Sequence, residues 1–188
     1  MISRCDWPGT DPDYIAYHDL EWGVPVREDR ALFEYLCLEG QQAGLSWITV
    51  LRKRARYRTC FKNFDIDRVA LLRDDTIEGF LNDRGLVRNR LKLYSIRSNA
   101  LACLAVRAEF GSFSTYIWSF VGGRPVDGKR KSQGDVPSSS SLSEAMSKDL
   151  KRRGFKFVGK TTCYAFMQAA GMINDHTLNC FRYNQVKP

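Results

Sequence analysis

No run of about 18 apolar residues occurs in the 188-residue chain, so no segment has the make-up of a membrane-spanning helix. The opening residues, Met1-Ile2-Ser3-Arg4-Cys5-Asp6, carry no apolar leader, and export by that route is not expected. No two of the six cysteines form a C-x-x-C pair. Their wide spacing, without a leader, points to a reducing compartment, and the expected location is the cytoplasm. There is no internal repeat and no long low-complexity tail. Strand-like alternation is confined to short stretches such as residues 155–158. At 44% apolar and 27% charged, the chain is not disordered, collagenous or a coiled-coil rod. One domain spanning residues 1–188 is expected, large enough to bury roughly 70% of its unfolded surface without disulfides.

The charge is unevenly placed. The net value is +8. Residues 1–51 carry nine acidic and three basic groups. Arg52, Lys53, Arg54, Arg56, Arg58 and Lys62 follow with no acid among them. Residues 95–188 hold fourteen basic groups against six acidic. A polyanionic partner fits this distribution, and a solvated helical face fits it equally well.

Helix signals dominate. Asp11-Pro12 opens a helix through Asp19, by an N-cap and a first-turn proline. Asp29 is placed to cap a helix bearing Leu32, Phe33, Leu36 and Cys37 at a 3.6-residue period, interrupted by Gly40 and Gly44. Ser46 caps a further helix with Trp47, Val50 and Leu51. Asp65 and Asp75 start two short ones. A longer helix follows Asn89, with Leu91, Tyr94, Leu101, Leu104 and Ala108 on one face. Ser141-Leu142-Ser143-Glu144 matches a capping box before a helix ending near Gly154. A last helix runs from about Thr161 to Ala170 and stops at Gly171. Residues 122–141, rich in Gly, Pro, Ser, Lys and Arg, predict one long, basic, mobile loop. The expected fold is all-α, a compact bundle of about eight helices.

His18 and His176 are the only histidines, and Cys5 and Cys180 are the outermost cysteines. His176 and Cys180, four residues apart, share one side of a helical turn. The four together would supply two sulfurs and two nitrogens, a tetrahedral zinc set that ties the two ends of the chain. Four protein ligands leave no position for a reacting water, so such a metal is structural. H-E-x-x-H is absent, as is the H-x-E with P-C-x-x-C pattern of zinc deaminases. Four unrelated residues remain the plain alternative. Cys37, Cys60, Cys103 and Cys163, among apolar neighbours, are expected to be small buried hydrophobes.

Three of the four tryptophans, Trp7, Trp22 and Trp47, lie in the acidic first 51 residues with Tyr14 and Tyr17. Glu39 precedes Gly40-Gln41-Gln42-Ala43-Gly44-Leu45-Ser46-Trp47. A carboxylate and aromatic faces about a glycine-broken junction suit a flat cation. Ordinary core packing of the rings, with an exposed glutamate, is the competing description.

The motifs Cys5-x-Trp7, Tyr14-Ile15-Ala16-Tyr17-His18-Asp19, Glu21-Trp22-Gly23-Val24-Pro25 and Leu38 through Trp47 resemble those of the 3-methyladenine DNA glycosylase I family. Arg152 through Gly159, Cys163-Tyr164 and Asn174-Asp175-His176 extend the resemblance over nearly the whole chain. It implies a divergent helix-hairpin-helix DNA glycosylase, a monomer that flips N3-methyladenine out of alkylated duplex DNA and hydrolyses its N-glycosidic bond. It further implies Glu39 as the acidic group receiving the base, Tyr17 as a polar contact and Trp47 as the stacking ring. Trp7, Tyr14 and Trp22 complete the walls, and one structural zinc is held by Cys5, His18, His176 and Cys180. Asp83-Arg84-Gly85-Leu86-Val87-Arg88-Asn89 resembles the family's hairpin, with Gly85 and Arg88 toward the DNA backbone and Gly85 permitting a tight turn. Gly44 and Leu45 lie where an inserted side chain could fill the gap left by the base; core packing is the alternative for Leu45. No lysine lies in the pocket motifs, so a Schiff-base lyase step is not expected. A damage sensor without catalysis and a zinc-stapled interaction domain are the two competing functions.

Overall fold

Asp11 opens α1 (Pro12–Leu20) as the sequence predicts, its carboxylate accepting from the N–H groups of Asp13 and Tyr14. In the computed structural model, which describes residues 2–186, ten α-helices follow one another with a single two-residue strand pair. The central element is α2 (Asp29–Gln42), buried continuously from Leu32 to Gln41. Its cap is Glu28 rather than Asp29. Asp29 is committed elsewhere: its carboxylate accepts from Phe113 and Ser114 at the start of α8 (Phe113–Ser119), a helix the sequence pattern did not reveal. Gly40 does not interrupt α2. The chain leaves the helix at Ala43 and Gly44, where Gly44 adopts φ +77°, a conformation costly for any side chain.

Ser46 precedes α3 (Trp47–Leu51), but its hydroxyl meets the Thr49 hydroxyl instead of a backbone N–H. The basic stripe forms an unforeseen helix, α4 (Arg54–Cys60). Asp65 caps α5 (Ile66–Ala70) as expected. α6 (Asp74–Phe80) starts one residue before Asp75, with both aspartates in the first turn at the positive end of the helix dipole.

Asn89 caps α7 (Arg90–Phe110), but the face expected to be buried is not. Leu91 and Leu101 are 73% and 54% exposed. The buried stripe is Leu93, Ile96, Ala100, Cys103 and Val106. Both stripes have helical spacing, and packing of α5 and α2 on α7 selects the second. α9 (Ser141–Arg152) is capped by Ser140, reciprocally with Ser143, one residue earlier than the expected box; Glu144 pairs with Lys160. α10 (Lys160–Ala169) packs on α9 and α2. One hydrophobic cluster, including Cys37, Cys60, Cys103 and Cys163, connects these helices.

Residues 155–158 form an irregular stretch that bends at Lys156 and Phe157, not a strand. Nor is 122–141 one mobile loop. β1 (Val126–Asp127) pairs in parallel with β2 (Ile173–Asn174), and a further bridge joins Arg130 to Thr177. The Arg130 guanidinium donates to buried Asp175 at 2.8 Å, and the Tyr183 hydroxyl donates to Asp127. These partners are about fifty residues away along the chain, beyond the reach of a local pattern. Phe181 N–H donates to the Ser3 carbonyl, so the early and late segments touch.

Candidate active-site cleft and metal centre

The end of α2 projects Glu39 and Gln42 into a cleft of about 200 Å³. Trp7, Tyr14, Tyr17, Trp22 and Trp47 form its aromatic walls. All six residues singled out around this feature therefore converge. Trp7 stands edge-on to Tyr14 and Trp22 at ring separations of 5.5 and 5.2 Å. Tyr17 and Trp47 tilt together at 5.5 Å. The Tyr14 hydroxyl accepts from Ile48 N–H, which locks α1 to α3. The competing description fails on Glu39: it is buried, 6% exposed, rather than solvated.

No hydrogen bond or ion pair reaches the Glu39 carboxylate among the described residues. Burial alone pushes its carboxyl up to about 8. A buried, uncompensated acid is costly by itself and favours a cation beside it. Burial and then Glu39 push the Tyr17 phenol upward, so it stays protonated as a donor. The indole N–H groups of Trp7 and Trp47 are also buried without an acceptor. Such orphaned donors are uncommon in folded proteins, and two of the three among the described residues lie at this cleft.

The remaining wall was not apparent from sequence. Gln133 and Val136 come from the basic segment, and Ala165 and Gln168 from α10. No local signal marks them, because long-range pairing brings 122–136 to the cleft. Glu39, Gln42 and Ala165 also border a second hollow, closed by Gly44, Leu45, Thr161 and Thr162. Leu45 is 41% exposed, which removes the core-packing alternative.

Gly85 lies in the 81–89 connection between α6 and α7, and its φ is not in the left-handed region. Its need is steric: a Cβ would come within 2.6 Å of Arg56 and 2.9 Å of Asp83. Its N–H is already taken by Asp83. Arg88 is exposed, with no ion pair among the described residues. The basic stripe offers less than its charge promised. Arg52 pairs with Asp11 and Asp13, Arg54 with Glu21 and Glu34, Arg56 with Asp83, and Arg58 with Glu34. Lys53 donates to the Arg84 carbonyl. Folding thus spends most of the stripe on acids that are remote in sequence.

Behind the cleft, Cys5, His18, His176 and Cys180 are all buried, with their ligand atoms within 4.8 Å of one another. Cys180 Sγ is 3.5 Å from His18 Nε2 and 3.6 Å from His176 Nδ1, and Cys5 Sγ is 3.6 Å from the same Nδ1. The outward nitrogens are also engaged. His18 Nδ1 meets Asp19 at 2.8 Å, itself held by Arg4, and His176 Nε2 meets the Trp22 carbonyl at 3.1 Å. Such contacts fix which nitrogen faces inward. The Cys5 hydrogen bond and both imidazoles hold the Cys180 thiol low, while the same bond and burial hold Cys5 high. The donor set could hold a metal ion.

A sequence model described as methyladenine glycosylase matches residues 7–183. The chain is 49% identical over 187 residues to DNA-3-methyladenine glycosylase 1 of Escherichia coli K12, covering all of both proteins. It is 48% identical to DNA-3-methyladenine glycosylase of Haemophilus influenzae, covering 96% of this chain and 97% of that one. The Staphylococcus aureus 3-methyladenine DNA glycosylase I, solved for the structural basis of 3-methyladenine recognition, superposes with a TM-score of 0.93 at 37% identity. That match covers 98% of this chain and 96% of the other. No helix among the described residues is long and apolar enough to cross a membrane.

Proposed function

The chain belongs to the methyladenine glycosylase family, enzymes that hydrolyse N-glycosyl bonds, and on that premise we propose that it excises N3-methyladenine from alkylated duplex DNA. The observation that carries this reading is the Glu39 carboxyl, buried and unpartnered between aromatic faces. An N3-methylated adenine nucleotide is a cation. Entering the cleft, it compensates the Glu39 charge and exchanges water for the rings of Trp47 and its neighbours. Stacking is worth about 1–3 kcal/mol per base, comparable to the few kcal/mol that flipping a damaged base costs.

The chemistry asked of the protein is small, because the base already leaves as a neutral molecule. Water adds to C1′ of the sugar as the C1′–N9 bond breaks and its electron pair relaxes into the purine, and the surplus proton of the attacking water passes to solvent. Glu39 holds the charged base by accepting its hydrogen bonds, and Tyr17 offers its hydroxyl. Among the described residues no lysine lines the cleft, which agrees with a monofunctional hydrolase and no covalent intermediate.

Outside the cleft, α6, the 81–89 connection and α7 serve as the helix-hairpin-helix element, with Gly85 and Arg88 toward the phosphates. The Gly44–Leu45 corner supplies the wedge. Cys5, His18, His176 and Cys180 suit one structural zinc, a borderline-soft ion that favours two thiolates and two imidazoles. It would fasten the early and late segments, with no open position for water. The protein acts as a monomer and a single domain.

The test is release of free methylated bases from alkylated duplex DNA, identified by chromatography. N3-methyladenine should appear, and the Glu39→Gln variant should release it at least tenfold more slowly. Binding of methylated duplex without abasic sites would instead indicate a sensor. No preference for alkylated over normal DNA would reject both.

A further inference from the structure

We infer that Lys92 and Gln41 are positioning residues that couple the 81–89 connection to the Ala43–Leu45 corner, so that backbone grip and wedge meet the DNA in fixed register. The inference rests on the glycosylase reading above.

Lys92, in the first turn of α7, is only 6% exposed. Its ammonium donates to the Gln41 carbonyl at 2.8 Å and to the Ala43 carbonyl at 2.6 Å. These oxygens belong to the end of α2, where the last carbonyls have no helical partner and the dipole is negative. Gln41 is fully buried and returns the connection, its side-chain N–H donating to the Lys92 carbonyl at 2.9 Å. The Tyr57 hydroxyl donates to Gln41 Oε1 and accepts from Val87 N–H, both at 3.1 Å. Val87 lies within the connection. On its other side, Lys53 donates to the Arg84 carbonyl, and Asp83 receives both Arg56 and Gly85 N–H.

Two segments with different proposed contacts to DNA are thus joined by one buried set of bonds. The corner has little else to hold it. Ala43, Gly44, Leu45 and Ser46 are all exposed. Among the described residues, Lys92 makes the one hydrogen bond that another element gives to residues 43–45. An apolar residue could fill the Lys92 volume, but it would leave two carbonyls unpaired and the corner unanchored. The cleft rings and Glu39 take no part in this set, so its loss separates duplex handling from base recognition.

The experiment compares Lys92→Met and Tyr57→Phe with the unaltered protein. Single-turnover excision from methylated duplex gives the half-saturating enzyme concentration and the maximal rate separately. Binding of free 3-methyladenine is followed by the fluorescence of Trp7 and Trp47, and folding by thermal melting. Lys92→Met is expected to bind the free base within twofold of wild type while its excision efficiency on duplex falls tenfold or more. Tyr57→Phe should fall several-fold with the same split, and it decides the matter if Lys92→Met does not fold. Wild-type excision in folded variants would overturn the inference. So would free-base binding lost in proportion to excision, which marks a merely structural role. If the unaltered protein releases no methylated base, the glycosylase reading itself fails and takes this inference with it.

Discussion

Gln168 and Asp175 share a 2.8 Å hydrogen bond that ties the cleft wall to the turn bearing His176. An ionised carboxylate only accepts, so the Gln168 amide must turn its N–H toward Asp175 and keep its oxygen for another partner. Asp175 is 1% exposed and also accepts from Tyr164 and Arg130. Three segments, α10, the Arg130 stretch and the turn bearing His176, therefore converge beside the sulfur–imidazole cluster, and hydrogen bonds link the cluster to the cleft wall.

Metal removal should consequently be felt in the cleft. Elemental analysis is expected to find one zinc per chain. Chelation, or Cys180→Ser, should lower the melting temperature by roughly 5–15 °C, at about 2–4 °C per kcal/mol for a chain of this size. Affinity for free 3-methyladenine should fall with it. A protein that melts unchanged without metal would refute the structural role.

Glu39 sets a pH dependence whose sign is definite. Its folded value of about 8 lies above the ordinary 4.5, so the folded state holds a proton that the unfolded state has lost between these limits. This contribution to stability is complete below pH 4.5 and disappears as pH rises through 8. Glu39→Gln removes the penalty: the variant should be roughly 2–5 kcal/mol more stable than wild type at pH 9, with no advantage near pH 4. In the wild-type enzyme kcat/KM should climb with pH toward 8, since the ionised carboxylate attracts the cationic base. Urea melts and rate profiles across pH 4–9 check both limbs.

Arg54 and Glu34 are both buried, with side chains 10% and 2% exposed, and meet at 2.5 Å. Arg54→Met leaves the Glu34 charge with only the half-exposed Arg58. A loss of about 3 kcal/mol is expected from the urea midpoint. The double variant Arg54→Met, Glu34→Met should recover most of it. An equal loss in the double variant would show that packing, not charge, is responsible.

Leu45→Ala distinguishes a wedge from a scaffold residue. An exposed leucine contributes little to the core, so melting should move by less than about 2 °C. Excision from duplex should fall tenfold or more, with free-base binding unchanged. Equal excision would remove the wedge.

The parts of the molecule that were legible in sequence depend on local signals or rare residues. Asp11, Asp65 and Asn89 cap where expected, because an N-cap needs only its own next turn. The four ligand candidates were legible because histidine is scarce. The cleft walls were legible through long motifs around Trp7, Tyr17 and Glu39. What failed required distant partners. Asp29 looked like the cap of its own helix but serves α8. The stripe from Arg52 to Arg58 looked free until Asp11, Glu21, Glu34 and Asp83 folded against it. Gln133 and Val136 could enter the cleft only through pairing with residues 173–177. In α7, Leu91 and Leu93 both lie on apolar stripes, and the neighbouring helices chose between them.

The cluster at Cys5 and Cys180 joins groups 171 and 162 positions apart. Closing a circuit that long costs roughly 4–5 kcal/mol of chain entropy if nothing between has ordered. An ion taken up by this donor set would therefore be expected to bind late, once α2, α7 and α10 have brought the circuit to near closure. Its occupancy would then be a gauge of the whole molecule. A cavity opened far away, at Ile96 or Phe166, should register as weaker retention of the ion, although neither side chain is a ligand.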